Sequence, residues 1–329
     1  MTVLVTGASG FMGLAVSEAL LARGTHVVGL DLAAPPEAAR RAFARLPGRF
    51  EACTADMRDA TAVQRVVAES GARRIVHLAA VTADAARERR APASVFEVNV
   101  LGTLNLIGAA QAAGVGRIVH VSSGATYGAS GREPDLLRED VTPLKPEGLY
   151  GISKQAAEAA ALRLKALHGL DLLVGRLGTC FGPWEYVTGV RDTPSAPLQV
   201  LLKAARGAPV ILPRPHVRDF LYARDGAAAI LALLDAERPS FEIYNLAAGF
   251  VWSLEEWCRG LSARCPSLSW RFGTVDEEGA IALYADYDRA VMDASRLASD
   301  LGFAPRFGLA EALADYVPWF EANPDLFFN

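Results

Sequence analysis

The sequence predicts an α/β protein: a doubly wound parallel sheet with a smaller, mixed α/β substrate lobe. Three observations carry that prediction. Short apolar runs alternate with helical stretches through the first half of the chain, the order that a parallel sheet with crossover helices requires. The first run, Val3-Leu4-Val5, leads at once into Thr6-Gly7-Ala8-Ser9-Gly10-Phe11-Met12-Gly13 and a helical pattern through Arg23. The second run, His26 to Asp31, ends in an acid.

Strand, glycine turn and helix in that order give the glycines a mechanism. Gly7 permits the tight turn, Gly10 lets the backbone approach a pyrophosphate, and Gly13 lets the helix pack close to the strand. The helix N-terminus then offers N–H groups and the positive end of its dipole to the phosphates. Asp31, about twenty residues further on, is placed to bind the adenosine ribose hydroxyls and to repel a 2′-phosphate, which favours NAD over NADP. The plainer reading of Asp31 is a helix cap or loop acid. Arg40 and Arg41 follow in a helical stretch rather than beside Asp31 and argue little for NADP.

The later elements continue the alternation. Phe50–Thr54 reads as the third strand, and Asp59 as the cap of a helix reaching Ser70. Asp56 is positioned to reach an adenine amino group. Arg74 to Ala80 reads as the fourth strand, running into small residues that suit a close dinucleotide. Residues 92–113 read as one long helix, with Asn99 unfavourably in its middle. Arg117–Val121 is the fifth strand and ends in Ser122-Ser123-Gly124-Ala125-Thr126-Tyr127-Gly128. Ligands bind beyond the carboxyl ends of such strands, so the glycines, Asp31, Ala79 and Ser123 share one edge.

Tyr150-Gly151-Ile152-Ser153-Lys154 opens an Ala-, Leu-, Glu- and Lys-rich run to His168 with no proline, which is helix composition. Residues four apart share a helix face, so the Tyr150 hydroxyl and the Lys154 ammonium lie side by side. A cation beside a phenol lowers its pKa and fits it to trade a proton with a substrate hydroxyl. Taken alone, a surface Tyr with a snorkelling Lys explains the pair as well. The upstream motifs tip the balance.

Composition sets outer bounds. Of the 329 residues, 51% are hydrophobic and 21% charged, a globular composition with a net charge of −4 that points to neither nucleic acid nor an anionic membrane. No basic leader or long apolar segment precedes the first strand, so neither a signal peptide nor a transmembrane helix is expected. The four cysteines, Cys53, Cys180, Cys258 and Cys265, have no metal-ligand spacing and read as reduced thiols in a cytoplasmic protein, with no metal site.

The ordered set Thr6-Gly7-x-x-Gly10-x-x-Gly13, Asp31, Asp56, His77-Leu78-Ala79-Ala80, Asn99, Ser122-Ser123 with Tyr127-Gly128, and Tyr150-x-x-x-Lys154 resembles the extended short-chain dehydrogenase/reductase family, also called the NAD-dependent epimerase/dehydratase family. The likeness continues through Arg176–Pro183 and Val217–Tyr222 and covers most of the chain. It implies a Rossmann sheet with NAD as cofactor, held by Gly7, Gly10, Phe11, Met12, Gly13, Asp31, Asp56, Met57, Leu78, Ala79, Ala80, Asn99, Ser122, Tyr150, Lys154, Arg176 and Leu177. It implies Tyr150 as general acid/base, Lys154 as its ribose-binding partner, and Ser123 as hydrogen-bond donor to the reacting oxygen. It implies Ser123, Thr179 and Arg218 at the substrate. It further implies a homodimer through the helices at 92–113 and 149–168.

Departures from the family pattern narrow the chemistry. Dehydrating members carry an Asp-Glu pair after the Ser/Thr, where this chain has Gly124 and Ala125, which disfavours elimination of water. Thr179 stands where sugar-nucleotide epimerases have an Asn. Arg218 matches an Arg that binds a sugar-nucleotide diphosphate, but a guanidinium fork fits a carboxylate equally. The second Arg of that clamp has no counterpart in Ile281–Tyr287, and Arg289 lies beyond it. Glu185, Arg191, Asp192 and Thr193 lie in a polar loop able to meet substrate.

The cofactor domain is accordingly expected at 1–177 plus 216–247, and the substrate lobe at 178–215 plus 248–329. The expected function is an NAD-dependent oxidoreductase acting on a secondary alcohol of a sugar-like small molecule: a sugar, sugar-acid or polyol dehydrogenase. The alternative is a nucleotide-sugar epimerase with a transient ketone. A non-catalytic NAD sensor is the third reading, which intact Ser123, Tyr150 and Lys154 argue against.

Overall fold

The computed structural model describes residues 1–133, 135–189 and 193–328; Arg191 and Asp192 lie outside them. Seven parallel strands form the central sheet: β1 (Thr2–Thr6), β2 (His26–Asp31), β3 (Arg49–Thr54), β4 (Arg74–His77), β5 (Arg117–Ser123), β6 (Leu172–Leu177) and β7 (Ile243–Leu246). Their order is β7-β6-β5-β4-β1-β2-β3, so the chain reverses its direction of travel across the sheet between β1 and β4. The crevice at such a reversal is where open α/β sheets bind ligands.

Alternation along each strand feeds two cores. Val3, Val5 and Val27 point into one, together with Leu14, Leu20 and Leu21 of helix α1 (Phe11–Ala22). Leu4, Val28 and Leu30 point into the other, against Val63, Val66, Leu106 and Ile107. Helices α2 (Glu37–Phe43), α3 (Ala60–Ser70) and α4 (Ala85–Arg90) follow in the crossovers.

The helix expected over 92–113 is interrupted. Pro92–Phe96 is α5, Glu97–Leu101 a π turn, and Gly102–Ala112 is α6. Asn99 sits in the π turn, and its amide explains the interruption: Oδ1 accepts from Val81 N at 2.8 Å, while Nδ2 donates to Val81 O and Ser153 Oγ. The span Pro92–Ala112 is long and apolar enough, by length and composition, to cross a membrane. Here it packs between α3 and α7 (Leu149–His168).

The fourth strand also ends earlier than expected, at His77 rather than Ala80. The Thr6 hydroxyl takes Leu78 N and Ala79 N at 3.2 Å, turning the chain across the end of β1.

Beyond β6 the chain builds the smaller lobe from α8 (Ala196–Ala205), α10 (Leu254–Ser262) and α12 (Leu309–Ala322), while α9 (Ala223–Asp235) returns to cover the sheet beside α1 and α11 (Ser295–Leu301) packs on β7 and α9. Three two-stranded pairs stitch the lobe: Cys180–Phe181 with Leu221–Tyr222, Val210–Leu212 with Trp270–Phe272, and Val217–Arg218 with Trp252–Ser253. Its core is aromatic, with Phe181 edge-on to Phe220, Tyr222, Trp252, Trp257 and Tyr316. No disulfide joins the four cysteines to one another.

Candidate active site

A cleft of about 700 Å³ runs along the carboxyl edge of the sheet between the two lobes. Its floor at β1 is the glycine turn. Gly7 has φ +68°, and a Cβ there would meet Ala79 N at 2.7 Å. A Cβ on Gly13 would stand 1.9 Å from Gly7 O, so α1 rests directly on the turn. Around Gly10, by contrast, an added Cβ would meet only Gly7 O, at 3.2 Å, and the backbone faces open cleft. No side chain caps α1 at Gly10, and the amino end of the helix (Phe11, Met12, Gly13) opens onto the same space. A bare backbone cradle under a helix N-terminus fits a pyrophosphate.

At the end of β2, Asp31 Oδ2 accepts from Ser9 N at 2.9 Å and Oδ1 from Leu32 N at 2.7 Å. Both carboxylate oxygens of Asp31 are thereby tied to backbone N–H groups of the glycine turn and of the residue that follows Asp31. Tyr186 crosses from the lobe and donates to Ser9 O at 2.7 Å. Burial, with the Asp31 charge added, pushes its phenol up to about 12.

Leu78 and Ala80 line the cleft beyond β4. Several expected cofactor residues do not. Ala79 lies behind them against Gly7. Asp56 is held bidentate by Arg58, which lowers its carboxyl pKa, and Met57 is buried beneath Gly102. Asn99 acts from behind: its Nδ2 donates to Ser153 Oγ, which donates to Tyr150 O at 2.8 Å, fixing the first turn of α7.

Arg176 is the clearest correction. The family likeness puts it at the cofactor, but its guanidinium faces inward, with Nε 3.2 Å from both Glu158 oxygens and Nη1 3.0 Å from Tyr127 Oη. A buried guanidinium needs a charge partner, and Glu158 on α7 supplies it.

The opposite wall combines β5 and α7. Ser122 and Ser123 end β5 at the cleft, Ser122 Oγ without a partner among the described residues and Ser123 Oγ accepting from Ala125 N at 3.1 Å. A Cβ on Gly151 would meet Ala125 O at 2.7 Å, so this glycine lets α7 press against the turn after Ser123. Tyr150 and Lys154 line the cleft from that helix. Lys154 is 3% exposed and its Nζ donates to Val121 O at 2.6 Å. Burial lowers its pKa to about 8, with Glu158 pulling the other way. A His pair lies behind, His77 and His120, with ring centroids 5.4 Å apart; burial and the Lys154 charge hold both neutral.

On the lobe side stand Leu177, Thr179, Arg218 and Arg289. The expectation that Arg218 acts without a second cation is overturned by position: Arg289 shares the cleft, 3.1 Å from the buried carboxylate of Asp219. Burial and Arg289 together push Arg218 down to about 10. The sequence pattern missed Arg289 because it lies past the segment in which a second Arg is sought. The loop acid Glu185 turns inward instead, accepting from Ser195 N and Oγ; Thr193 lines the cleft.

Residues 3–247 match the family model of the NAD-dependent epimerase/dehydratase family. A dTDP-glucose 4,6-dehydratase of Streptomyces griseus is 33% identical over 97% of this chain and 94% of its own length. A UDP-glucose 4-epimerase of Mycolicibacterium smegmatis is 31% identical over 97% and 98%. Among solved structures, MoeE5 in complex with UDP-glucuronic acid and NAD superposes with a TM-score of 0.79 at 26% identity, covering 98% of this chain and all of that one.

Proposed function

The chain belongs to the NAD-dependent epimerase/dehydratase family, and we propose that it uses NAD to oxidise a secondary alcohol of a sugar-like substrate in the cleft at the end of β5. The observation that carries this reading is the convergence of Ser123, Tyr150 and Lys154 on one wall, facing the glycine cradle across the cleft. When bound, NAD supplies the acceptor for the hydride leaving the carbinol carbon. The residues do the rest. Tyr150 takes the hydroxyl proton, Ser123 hydrogen-bonds the reacting oxygen, and Lys154, held by Val121 O, places a positive charge beside the phenol and the ribose. Gly7, Gly10 and Gly13 with the amino end of α1 hold the pyrophosphate, and Asp31 the adenosine ribose. In this reading segments 1–177 and 216–247 serve the cofactor and the remainder the substrate.

Gly124 and Ala125 place no acid beside Ser123, which weighs against elimination of water even though relatives of this chain are dehydratases. The paired guanidiniums of Arg218 and Arg289 favour a substrate with an anionic handle. They raise the epimerase reading, in which a nucleotide sugar's diphosphate is gripped while its ketone turns. Incubation with NAD⁺ and a panel of sugars, sugar acids, polyols and nucleotide sugars separates the two: sustained NADH formation marks a dehydrogenase, and inversion without net NADH an epimerase. Neither outcome, with NAD bound, would overturn the redox reading.

We also propose a homodimer through α6 and α7. Leu101, Leu104 and Ile152 are 45%, 37% and 36% exposed on neighbouring outer faces, apolar surface that a second copy of these helices would cover.

A further inference from the structure

Three glycines around the end of β5 and the start of α7 leave room for charged side chains. A Cβ on Gly124 would meet the Arg289 guanidinium, one on Gly131 would meet Arg289 Cγ at 2.5 Å, and one on Gly148 would stand 3.0 Å from Glu88 Oε1. None of the three has a positive φ, so the backbone does not require glycine there. The third lies at the N-cap of α7, the helix that carries Tyr150.

That helix has no cap of its own. Asp59, Asp84, Ser195 and Ser253 each close the first turn of the helix they precede by accepting a backbone N–H. Gly148 has no side chain to do so, and an uncapped helix end frays. Tyr150 is the second residue of that first turn. The missing acceptor comes from α4: Glu88 Oε1 takes Leu149 N at 2.6 Å, across 61 residues of sequence. A carboxylate there also meets the positive end of the helix dipole.

α4 presents this acid from an anchored turn. Asp84 Oδ1 accepts from Arg87 N at 2.7 Å, and Arg87 Nη2 donates to Gly189 O at 2.6 Å. Glu88 lines the cleft together with Gly148 and Tyr150. On the other side of Tyr150, Asn99 holds Ser153, whose hydroxyl donates to Tyr150 O. Tyr150 is thus held from both directions, at the N–H of the residue before it and at its own carbonyl oxygen.

The geometry assigns to Glu88 the part of a positioning residue: it caps α7 from another element and thereby aims the Tyr150 hydroxyl at the reacting oxygen. This rests on the reading of Tyr150 as the general acid/base. A reacting group misplaced by about 1 Å can cost roughly a hundredfold in rate.

The test compares four NAD-loaded proteins: the unaltered chain, Glu88→Ala, Glu88→Gln, and Glu88→Ala combined with Gly148→Ser. Gln keeps an acceptor for Leu149 N. Ser at the N-cap supplies one from the start of the helix itself, and the extended backbone of Gly148, φ −104° and ψ 161°, suits it. Hydrogen exchange over residues 149–154 becomes about 10-fold faster in Glu88→Ala and returns to within about threefold of the unaltered chain in the other two variants. Turnover is read on UDP-glucose, UDP-glucuronic acid, glucose and glucuronate, as NADH or epimer formed. In Glu88→Ala, kcat falls about 10- to 100-fold while KM and NAD affinity stay within about threefold, and kcat recovers in both rescued proteins. Exchange that ignores Glu88→Ala, a loss that neither rescue repairs, or a loss in KM rather than kcat overturns the proposal. Adding Glu88→Ala to Tyr150→Phe costs no further turnover if the acid acts through the phenol, and a further loss also overturns it. Full turnover in Tyr150→Phe sinks the acid/base reading, whereas loss in Tyr150→Phe with none in Glu88→Ala sinks the assignment of Glu88 alone.

Discussion

Lys154 Nζ lies 2.6 Å from the carbonyl oxygen of Val121, one residue before the Ser122-Ser123 pair. The bond ties the second turn of α7 to the end of β5, so the wall that carries Ser123 and the helix that carries Tyr150 are fixed to each other rather than merely adjacent.

Tyr150→Phe removes the proton-trading hydroxyl and leaves the glycine cradle untouched. Turnover falls by about 10²- to 10⁴-fold, while NADH binding, followed by fluorescence titration, stays near that of the unaltered chain. Unchanged rates would take Tyr150 out of the mechanism.

Asp31→Ala relaxes the preference for NAD over NADP. The carboxylate also accepts from Ser9 N and Leu32 N, so both affinities are expected to weaken, NADH more than NADPH. The ratio of the two dissociation constants is the readout, and an unaltered ratio would refute the ribose assignment.

Gly13→Ala forces a methyl group to within 1.9 Å of a backbone oxygen that has no flexible end to yield. Loss of roughly 2 kcal/mol or more is expected, read by urea denaturation, with NAD binding lost alongside as the turn is pushed out of shape. Gly108, where a Cβ meets nothing within 4 Å, is the control: Gly108→Ala in α6 is neutral or stabilising.

The buried His77 and His120 make stability depend on acidity. Burial first, and then the Lys154 charge, bring His77 down to about 3 in the folded chain from the ordinary histidine value of 6.5. The unfolded chain thus takes up protons as pH falls below about 6.5 while the folded chain does not, and stability drops in that direction. His120 has no partner for either ring nitrogen among the described residues. His120→Leu is expected to add about 1 kcal/mol at neutral pH and to flatten the decline as pH falls below about 6.5, measured by denaturation at a series of pH values.

Leu104→Glu with Ile152→Lys puts charge on the exposed faces of α6 and α7. A dimer built through those helices becomes a monomer in sedimentation velocity, with the fold retained by circular dichroism; a species that stays dimeric would move the interface elsewhere.

What the sequence disclosed follows from range. The strand, glycine turn and helix at 2–22 are local patterns, and so is the four-residue step from Tyr150 to Lys154; both survive into the structure unchanged. Arg176 misleads because its motif position says nothing of Glu158, eighteen residues earlier on another element, which claims its guanidinium. Arg289 escapes the motif because its place depends on what Gly124 and Gly131 lack. Those two glycines, whose backbone has no positive φ to require them, were the available signal. The π turn at Asn99 answers to a loop eighteen residues away in sequence, Val81, which helix periodicity cannot report.

The fit of Arg289 against Gly124 also bears on how this chain can change. An acid arriving alone at position 124 would have to displace the tip of Arg289 and would draw its guanidinium into an ion pair, and a smaller residue arriving alone at 289 would take a cation away from the buried Asp219 carboxylate. Either step is penalised until the other has been taken. The two positions are therefore expected to vary as a pair among descendants of this sequence, and a directed-evolution campaign toward water elimination would do better to randomise them together than one at a time.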